Sequence, residues 1–497
     1  MSGPERIRTT MFGIVLLLVV VALCWSLDAV VTEKPILKDS RQNLHAAYNI
    51  CTWGVFSTNP GTAQQPSLNH YREPLPPFVT SLLLLYYTSR AHHLTDLDFE
   101  KGACARLIKR VNIFWAFFVL VGSGVLCVQV IRNRLCAFLV VLLVYACFLR
   151  NPAYMDCLLT EIPTAALMLW TAIVFISCSR RQKPLLFLAA GILLGFLTLT
   201  KALFLYIAVG IAMGLLIYFF LARAMRSSRL QPACLAFFML GFVCTAGPWV
   251  LRNKVNFDSA AISSRGGMVL YYRALKNQMD PYEILAAFYL WGPGVYTRIV
   301  KNTFLDIGER EYEEGGRAVR LNRLSTSSFA LRDRQAEAAG KPECAITLYR
   351  RARADRVRMA VRFREEGHPY PLQAADNFLK IQSVRMIAGQ PIRHVLMTVP
   401  FAWRGIWCFY GGGVFTLLNA LSYAAFVALC CYGVVKKNRE LMLFCLLPML
   451  MLFLYAFLTH NQTRFSAPAI PFMIISFFIA ARFLANSVRA FRGRGRL

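Results

Sequence analysis

The sequence predicts an all-α polytopic membrane protein with about ten transmembrane helices. Of its 497 residues, 57% are hydrophobic and only 16% are charged, whereas about a quarter of the residues in a soluble domain are charged. Several apolar runs approach the roughly 20 residues that a helix needs to cross a bilayer. Most lysines and arginines fall in the short loops between these runs, a pattern typical of cytoplasmic loops. The net charge of +29 therefore indicates loop anchoring and contact with anionic membrane lipids, not nucleic-acid binding.

The first apolar run covers residues 11–31 and is long enough to span a bilayer. Arg6 and Arg8 precede it, which predicts a cytoplasmic N-terminus and an external loop after the helix. The run is too long for a signal peptide and has no small-residue cleavage site, so we expect an uncleaved helix. The loop that follows, 34–78, is polar and rich in turn residues. A polar loop held on one membrane face by apolar helices is where a membrane enzyme would place its chemistry.

The next apolar segment, 78–87, is only ten residues long. This length predicts a helix lying at the outer interface, so that the charged segment 90–110 also stays outside. The later spans are predicted at 111–131, 136–149, 163–179, 184–200, 202–222, 231–250, 414–435, 441–458 and 466–484. With this number of crossings, we expect the basic tail and four basic loops on the cytoplasmic side: 132–134, 180–183, 223–229 and 436–439.

The sequence divides into three predicted parts. Residues 1–251 form a transmembrane catalytic module that includes the external loop 32–110. Residues 252–393 form an external helical segment, whose densely charged middle, 309–366, is either a cap over an external pocket or a solvated insertion. Residues 394–497 begin with an amphipathic, tryptophan-rich helix expected at the outer interface and continue with the last spans and the tail.

Ionisable side chains recur at the outer ends of the predicted helices, where such residues usually face a cavity or each other. The set comprises Asp39, Arg72, Glu73, Asp156, Glu161, Lys201, Arg252, His460 and Arg464. A carboxylate can take the proton of an attacking hydroxyl, and arginine or lysine can hold a phosphate as it leaves. Beside a bilayer, this combination predicts transfer from a lipid-phosphate-linked donor to an acceptor outside the cytoplasm.

Six short motifs follow one another at these helix ends. They are DSRQNLHAAYNICTWGVFS (39–57), REPLPP (72–77), LLTE (158–161), GILLGFLTLTK (191–201), GPWVLRN (247–253) and RFSAPAIP (464–471). In this order they resemble the GT-C superfamily of integral-membrane glycosyltransferases, in the branch of bacterial aminoarabinose transferases and protein O-mannosyltransferases. The resemblance covers nearly the whole transmembrane part and leaves residues 300–390 uncovered.

The resemblance implies a GT-C-like fold and an inverting enzyme. Its donor would be a polyprenyl-phosphate-linked sugar, and its acceptor a lipid, a glycan or a protein. Asp39 would be the general base. The residues implied to hold the donor phosphate are Arg72, Lys201, Arg252 and Arg464. Those implied to shape the site or to hold a divalent cation are Glu73, Asp156 and Glu161. The enzyme would lie in the bacterial inner membrane with its site facing the periplasm.

Three positions depart from the family pattern. Ser40 stands where many members carry a second acid. Glu73 stands where aminoarabinose transferases tend to carry lysine before proline, and Asn43 stands where a tyrosine is common. The use of a metal and the identity of the sugar are therefore left open.

Each candidate residue also has a purely structural interpretation. Asp39 fits a helix N-cap, and Glu161 fits the first turn of a helix, where the dipole favours an acid. His460 is interpreted as structural. Anchoring at the membrane interface is the structural interpretation for Lys201, Arg252 and Arg464.

Two functions of other classes stay open. The first is a transporter or flippase of lipid-linked sugars, which inverted repeats and helices broken at mid-membrane would favour. The sequence shows neither feature. The second is a non-catalytic scaffold that binds partners through the charged segment 309–366.

Overall fold

The computed structural model describes residues 3–61, 65–88, 95–224, 231–303 and 307–494. Within these ranges every regular element is a helix and no strand is present. The predicted all-α class is therefore confirmed. Outside the described residues lie 62–64 and 89–94 of the predicted external loop, 225–229 of the predicted basic loop 223–229, and 495–497 of the tail.

The α-helices are numbered here in chain order. The first eleven are α1 (Gly3–Ser26), α2 (Lys38–Trp53), α3 (Leu75–Thr88), α4 (Gly102–Lys109), α5 (Val111–Ile131), α6 (Arg134–Val144), α7 (Pro152–Met155), α8 (Glu161–Arg181), α9 (Pro184–Thr200), α10 (Leu203–Ala224) and α11 (Pro232–Phe257). The next eight are α12 (Gly266–Leu275), α13 (Pro281–Leu290), α14 (Gly294–Thr303), α15 (Ala330–Ala338), α16 (Leu348–Glu365), α17 (Pro371–Gly389), α18 (Pro391–Leu396) and α19 (Thr398–Ile406). The last four are α20 (Val414–Val435), α21 (Arg439–Leu458), α22 (Thr463–Ser466) and α23 (Ile470–Arg494).

In the part of the chain that the structure describes, eight helices are long and apolar enough to cross a membrane. Their spans are Thr10–Ala29, Gly102–Ile131, Glu161–Arg181, Leu203–Phe220, Pro232–Phe257, Val414–Val435, Arg439–Leu458 and Thr463–Ser487. Three further apolar helices have 10 to 17 residues: Leu75–Tyr87, Arg134–Leu149 and Pro184–Thr200. The last two coincide with two of the ten predicted spans. The protein is thus an integral membrane protein, and the sidedness of its loops stays a prediction.

The chain forms two compact units. Unit 1 comprises residues 1–262, 408–451 and 467–497, and unit 2 comprises residues 263–407 and 452–466. The boundaries predicted after residues 251 and 393 fall inside α11 and α18. The chain passes from one unit to the other beyond these helices, after residues 262 and 407.

In unit 1, helices α9 and α11 approach each other backbone to backbone. A Cβ atom placed on Gly191 of α9 would lie 2.1 Å from the Phe238 carbonyl oxygen of α11. A Cβ atom on Gly241 of α11 would lie 2.4 Å from the Leu188 carbonyl oxygen of α9. Small residues allow such close crossings in membrane helices, where dispersion contacts do much of the packing. This crossing brings the C-terminal half of α11 alongside the end of α9.

Unit 2 has a core of its own, built from α12, α13, α16 and α17. It includes Tyr271, Leu275, Ala287, Ala352 and Leu379, all buried. Aromatic rings contribute a large part of the apolar area that such a small core can bury. The charged segment 309–366 is helical in part, because α15 and α16 lie in it.

A buried polar network joins three segments of unit 2. Arg273 is fully buried and donates to the carbonyl oxygens of Ala456 (3.1 Å) and His394 (2.8 Å) and to Asn277 Oδ1 (3.0 Å). His394 donates from Nε2 to the Phe457 carbonyl (3.0 Å), which leaves its Nδ1 to accept from Asn277 Nδ2 (3.2 Å). The network therefore holds His394 as the neutral imidazole, and burial followed by the nearby Arg273 charge lowers its pKa to about 4.

A candidate active site along one face of helix α2

The first turn and one face of α2 organise the candidate site in unit 1. Asp39, Asn43, Ala46 and Ile50 are spaced at i, i+4, i+7 and i+11, so their side chains lie on the same face. At 1.5 Å of rise per residue, this face extends about 16 Å from Asp39 to Ile50. Asp39 and Asn43 meet different parts of the unit, and Ala46 and Ile50 meet a third part together.

At the start of the face, Asp39 forms an ion pair with Arg72. The Arg72 side chain is 6% exposed and its Nε donates to Gln42 Oε1 (2.8 Å), whereas the Asp39 side chain keeps 27% of its surface exposed. Lys38, directly before Asp39, has a φ of +52°, a left-handed conformation that costs a lysine on the order of 1 kcal/mol. The backbone is thus strained directly before this accessible carboxylate. The ion pair holds Asp39, at the start of the loop, against Arg72, near its end.

One turn further along, Asn43 donates to the Leu158 carbonyl oxygen (2.7 Å). Three residues after Leu158, Glu161 begins α8 and forms an ion pair with Lys201, at the end of α9, with 3.4 Å between Nζ and Oε1. The side chains of Glu161 and Lys201 are only 3% and 8% exposed. An acid at a helix N-terminus and a base at a helix C-terminus both complement the helix dipole. The pair therefore joins two helix ends beside α2.

Asp156 belongs to a separate buried cluster that anchors the start of the first loop. It accepts from the backbone and hydroxyl of Thr32 (2.7 and 2.6 Å) and from Lys109 Nζ (2.9 Å). Lys109 is fully buried and also donates to the carbonyl oxygens of Thr32 (3.0 Å) and Lys34 (2.7 Å). Sequence reasoning missed Lys109, because it lies in a charged segment that was predicted to be external.

The far end of the α2 face borders an apolar groove of about 410 Å³. Its lining residues come from α2, α3, α9, α11 and the first loop: Ile50, Gly54, Phe56, Leu68, Pro74, Phe78, Leu199, Thr245, Pro248, Trp249 and Arg252. Three of these lining residues, Phe56, Leu199 and Trp249, also pack with Ala46 in a buried apolar cluster. Among the described residues that line this groove, Arg252 is the cationic one.

Arg252 is held against three aromatic rings. Its guanidinium carbon lies 4.4 Å from the ring centroid of Trp249, 5.7 Å from that of Phe56 and 5.3 Å from that of Phe257. Its Nη2 also donates to the Asn69 carbonyl oxygen (3.2 Å). Arginine keeps its charge in such surroundings because its guanidinium stacks on rings and is weakly hydrated.

The short segment 69–74 connects the two ends of the site. Asn69 contacts Arg252, Arg72 pairs with Asp39, and Pro74 lines the groove. His70, which sequence reasoning missed, is buried in this segment with its ring stacked on Phe257 at 4.4 Å between centroids. Burial, and then the charge of Arg252, lowers the pKa of His70 to about 4, so it is neutral at physiological pH.

Other predicted residues lie elsewhere. Glu73 is in the same segment, next to Arg72, and is partly exposed. His460 and Arg464 belong to unit 2, so their grouping with Asp39 stays a prediction.

Two of the three acids that were candidates for a divalent cation are engaged by lysines. Asp156 is paired with Lys109, and Glu161 is paired with Lys201. Across the described ranges, no group of three or more His, Cys, Asp or Glu side chains is arranged to hold a metal ion. The holding of a divalent cation by Glu73, Asp156 and Glu161 therefore stays a prediction.

No protein-family model matches the sequence, and no curated protein matches it. Solved structures of an oligosaccharyltransferase from Archaeoglobus fulgidus are similar to the chain. The complex of that protein with zinc and sulfate aligns with a TM-score of 0.46 and 10% identity, over 95% of this chain and 49% of that one. The complex of AglB with an inhibitory peptide and a dolichol-phosphate aligns with a TM-score of 0.47 and 10% identity, over 97% and 51%. This chain thus spans about half the length of those proteins, and no residue role is transferred from so distant a likeness.

Proposed function

We propose that the protein is an inverting membrane glycosyltransferase that moves a sugar from a polyprenyl-phosphate donor to a hydroxyl acceptor. The observation that carries this proposal is the single face of α2, with an accessible carboxylate at one end and an apolar groove containing a cation at the other. Of the six motifs that resemble GT-C glycosyltransferases, all except the last, 464–471, lie on the elements that form this candidate site. The proposed location is the bacterial inner membrane, with the site facing the periplasm.

The groove is suited to the lipid part of the donor. Its volume of about 410 Å³ falls in the range of about 300–1,000 Å³ that is usual for ligand sites. Its apolar lining matches an isoprenoid chain, and Arg252 supplies one charge for a lipid phosphate beside that chain. A guanidinium partly shielded from water forms stronger hydrogen bonds with phosphate oxygens than one that is fully hydrated.

In the proposed reaction, the acceptor hydroxyl oxygen attacks the anomeric carbon of the donor sugar. Asp39 takes the hydroxyl proton, and the bond between the anomeric carbon and the phosphate oxygen breaks with its electron pair going to the phosphate. Arg72 orients the Asp39 carboxylate, and Arg252 stabilises the charge that develops on the leaving phosphate. Lys201, through its ion pair with Glu161, positions the end of α9 beside the groove. Attack on the face opposite the phosphate inverts the anomeric configuration.

The test begins with a deletion strain whose envelope glycans and glycolipids are compared with the wild type by mass spectrometry, to identify the missing sugar. Complementation with Asp39→Asn should restore membrane-inserted protein but not the sugar, because loss of a general base lowers the rate about 10²–10⁴-fold. Asp258→Asn is the matched control, since its side chain is 90% exposed and pairs with Lys254 at the same helix end; it should restore the sugar fully. Normal restoration by Asp39→Asn would remove Asp39 from the mechanism. Movement of a labelled lipid-linked sugar across vesicles without any covalent product would replace transfer by transport.

A further inference from the structure

Unit 2 contains a buried lysine that has no anionic partner among the residues that the structure describes. Lys276, in the turn that follows α12, is 1% exposed. Among the described residues, its ammonium group has no hydrogen-bond or ion-pair partner, and it lies near two aromatic rings. Nζ lies 5.4 Å from the ring centroid of Tyr272 and 5.9 Å from that of Trp291.

The side chains that share these rings with Lys276 are also cationic. The guanidinium carbon of Arg404 lies 4.8 Å from the centroid of Trp291, and that of Arg323 lies 5.8 Å from the centroid of Tyr272. Arg323 also stacks closely on Tyr349, at 3.7 Å. Three positive side chains, Lys276, Arg323 and Arg404, therefore converge on a wall of aromatic rings; they are called the cation cluster below.

His460 borders the same rings. Its ring centroid lies 5.0 Å from that of Tyr272, and its carbonyl oxygen accepts from Arg404 Nη1 (3.3 Å). The His460 Nδ1 atom is buried without a hydrogen-bond partner among the described residues. A polar atom buried in this way commonly marks a place where a further group binds.

The acid nearest to the cluster is already engaged. Glu283 is fully buried, accepts from Arg320 Nε (2.8 Å), and accepts from the backbone of Asp280 (3.0 Å). Burial, followed by the charges of Arg404 and Arg323, lowers the pKa of Lys276 well below its usual value, although Glu283 opposes the shift. Within the described part of the unit, the positive charge of the cluster is therefore not matched by acids.

Contacts with the aromatic rings do not offset the free-energy cost of burying positive charge here. A cation–π contact contributes about 0.5–2 kcal/mol, whereas removing a charged group from water costs several kcal/mol. Like charges close together add to this cost. An anion with more than one negative charge would remove both penalties, and the planar forks of two arginines suit the oxygens of a phosphate group.

We propose that the cation cluster of unit 2 is a binding site for a phosphate group, in the form of a phosphomonoester or a diphosphate, with Lys276, Arg323 and Arg404 as its ligands. The site goes beyond the proposed glycosyl transfer and does not depend on it. Its residues lie outside the GT-C-like motifs. The phosphate group belongs either to a lipid head group or to a soluble molecule.

The test uses the full-length protein in phosphatidylcholine nanodiscs, with pyrophosphate as the soluble probe and nanodiscs containing phosphatidic acid as the lipid probe. Thermal unfolding is followed in wild type, Lys276→Met and Arg404→Gln. Arg362→Gln is the matched control, because Arg362 is an exposed arginine of the same unit that pairs with Glu366. This control accounts for non-specific attraction of anions to a basic protein.

We expect Lys276→Met to unfold at a higher temperature than wild type without a probe, because it removes a desolvated charge. Pyrophosphate should stabilise wild type and Arg362→Gln at low concentration, and both cluster variants should need at least tenfold more of it. Stabilisation of wild type by phosphatidic acid that is weakened in the cluster variants identifies a lipid head group; stabilisation by pyrophosphate alone identifies a soluble ligand. The proposal is overturned if neither probe stabilises wild type, or if the cluster variants respond as the control does. Arg404→Gln keeps the test decisive if Lys276→Met does not fold.

Discussion

The ion pair between Glu161 and Lys201 allows a quantitative test of how the candidate site is held together. The two charged atoms are 3.4 Å apart, and the side chains are 3% and 8% exposed. At an effective dielectric constant of about 20, two unit charges at this distance attract by about 5 kcal/mol. Because both groups are desolvated, removal of one takes away the opposite charge that the other faces while the other stays buried. We therefore expect Lys201→Met and Glu161→Gln each to lower the free energy of unfolding by about 3–5 kcal/mol.

The double variant removes both charges together. Its free energy of unfolding should lie within about 2 kcal/mol of wild type, because replacement of a buried ion pair by neutral side chains is often close to neutral. The coupling energy from the double-mutant cycle should then be at least about 3 kcal/mol. The assay is equilibrium unfolding in mixed micelles of SDS and a mild detergent, followed by circular dichroism.

A second cycle on Arg180 and Glu440 serves as the control. This pair also joins two helix ends, at 2.7 Å, but its side chains are 33% and 38% exposed, so its coupling energy should be below about 1 kcal/mol. If the double variant is as unstable as the single ones, or if its coupling does not exceed that of the control, the reasoning about the buried pair is wrong. A stable double variant with lost transfer activity would show that the pair also acts on the substrate.

Two further predictions concern other parts of the molecule. Since His394 is buried beside Arg273 and its pKa is lowered to about 4, its contribution to stability is present above pH 6.5 and is lost as the pH falls towards 4. It amounts to about 3 kcal/mol at most, so His394→Gln should make unfolding less sensitive to acid over this window; an unchanged pH profile would contradict the neutral assignment. Gly191→Ala places a Cβ 2.1 Å from the Phe238 carbonyl oxygen, and should lower the free energy of unfolding by about 1–3 kcal/mol. The control Gly210→Ala, with no atom within 4 Å of its Cβ, should leave stability unchanged or raise it by up to about 1 kcal/mol; equal effects of the two variants would refute the close crossing.

Several helices could be located well from the sequence. Two predicted spans, 111–131 and 414–435, coincide with α5 and α20. A membrane helix satisfies all its backbone hydrogen bonds internally, so its position depends on the local length of an apolar run. The same local reasoning placed the candidate acids and bases at helix ends, where charge is tolerated.

The partner of each charge could not be predicted in this way. Asp39 could have met any of several cations, and its pairing with Arg72 depends on how the intervening loop closes. The burial of Lys109 and Lys276 contradicts the usual exposure of lysine, and neither residue was predicted to be part of a site.

The sequence by itself determined the fold class, the places of the membrane helices and the types of residue that could carry chemistry, because these follow from composition and local periodicity. Only the tertiary structure decided which acid pairs with which base, where an apolar groove opens beside Arg252, and which cations of unit 2 have no acidic partner among the described residues. Those features depend on contacts between residues far apart in the chain, and such contacts arise from packing, which no local pattern encodes.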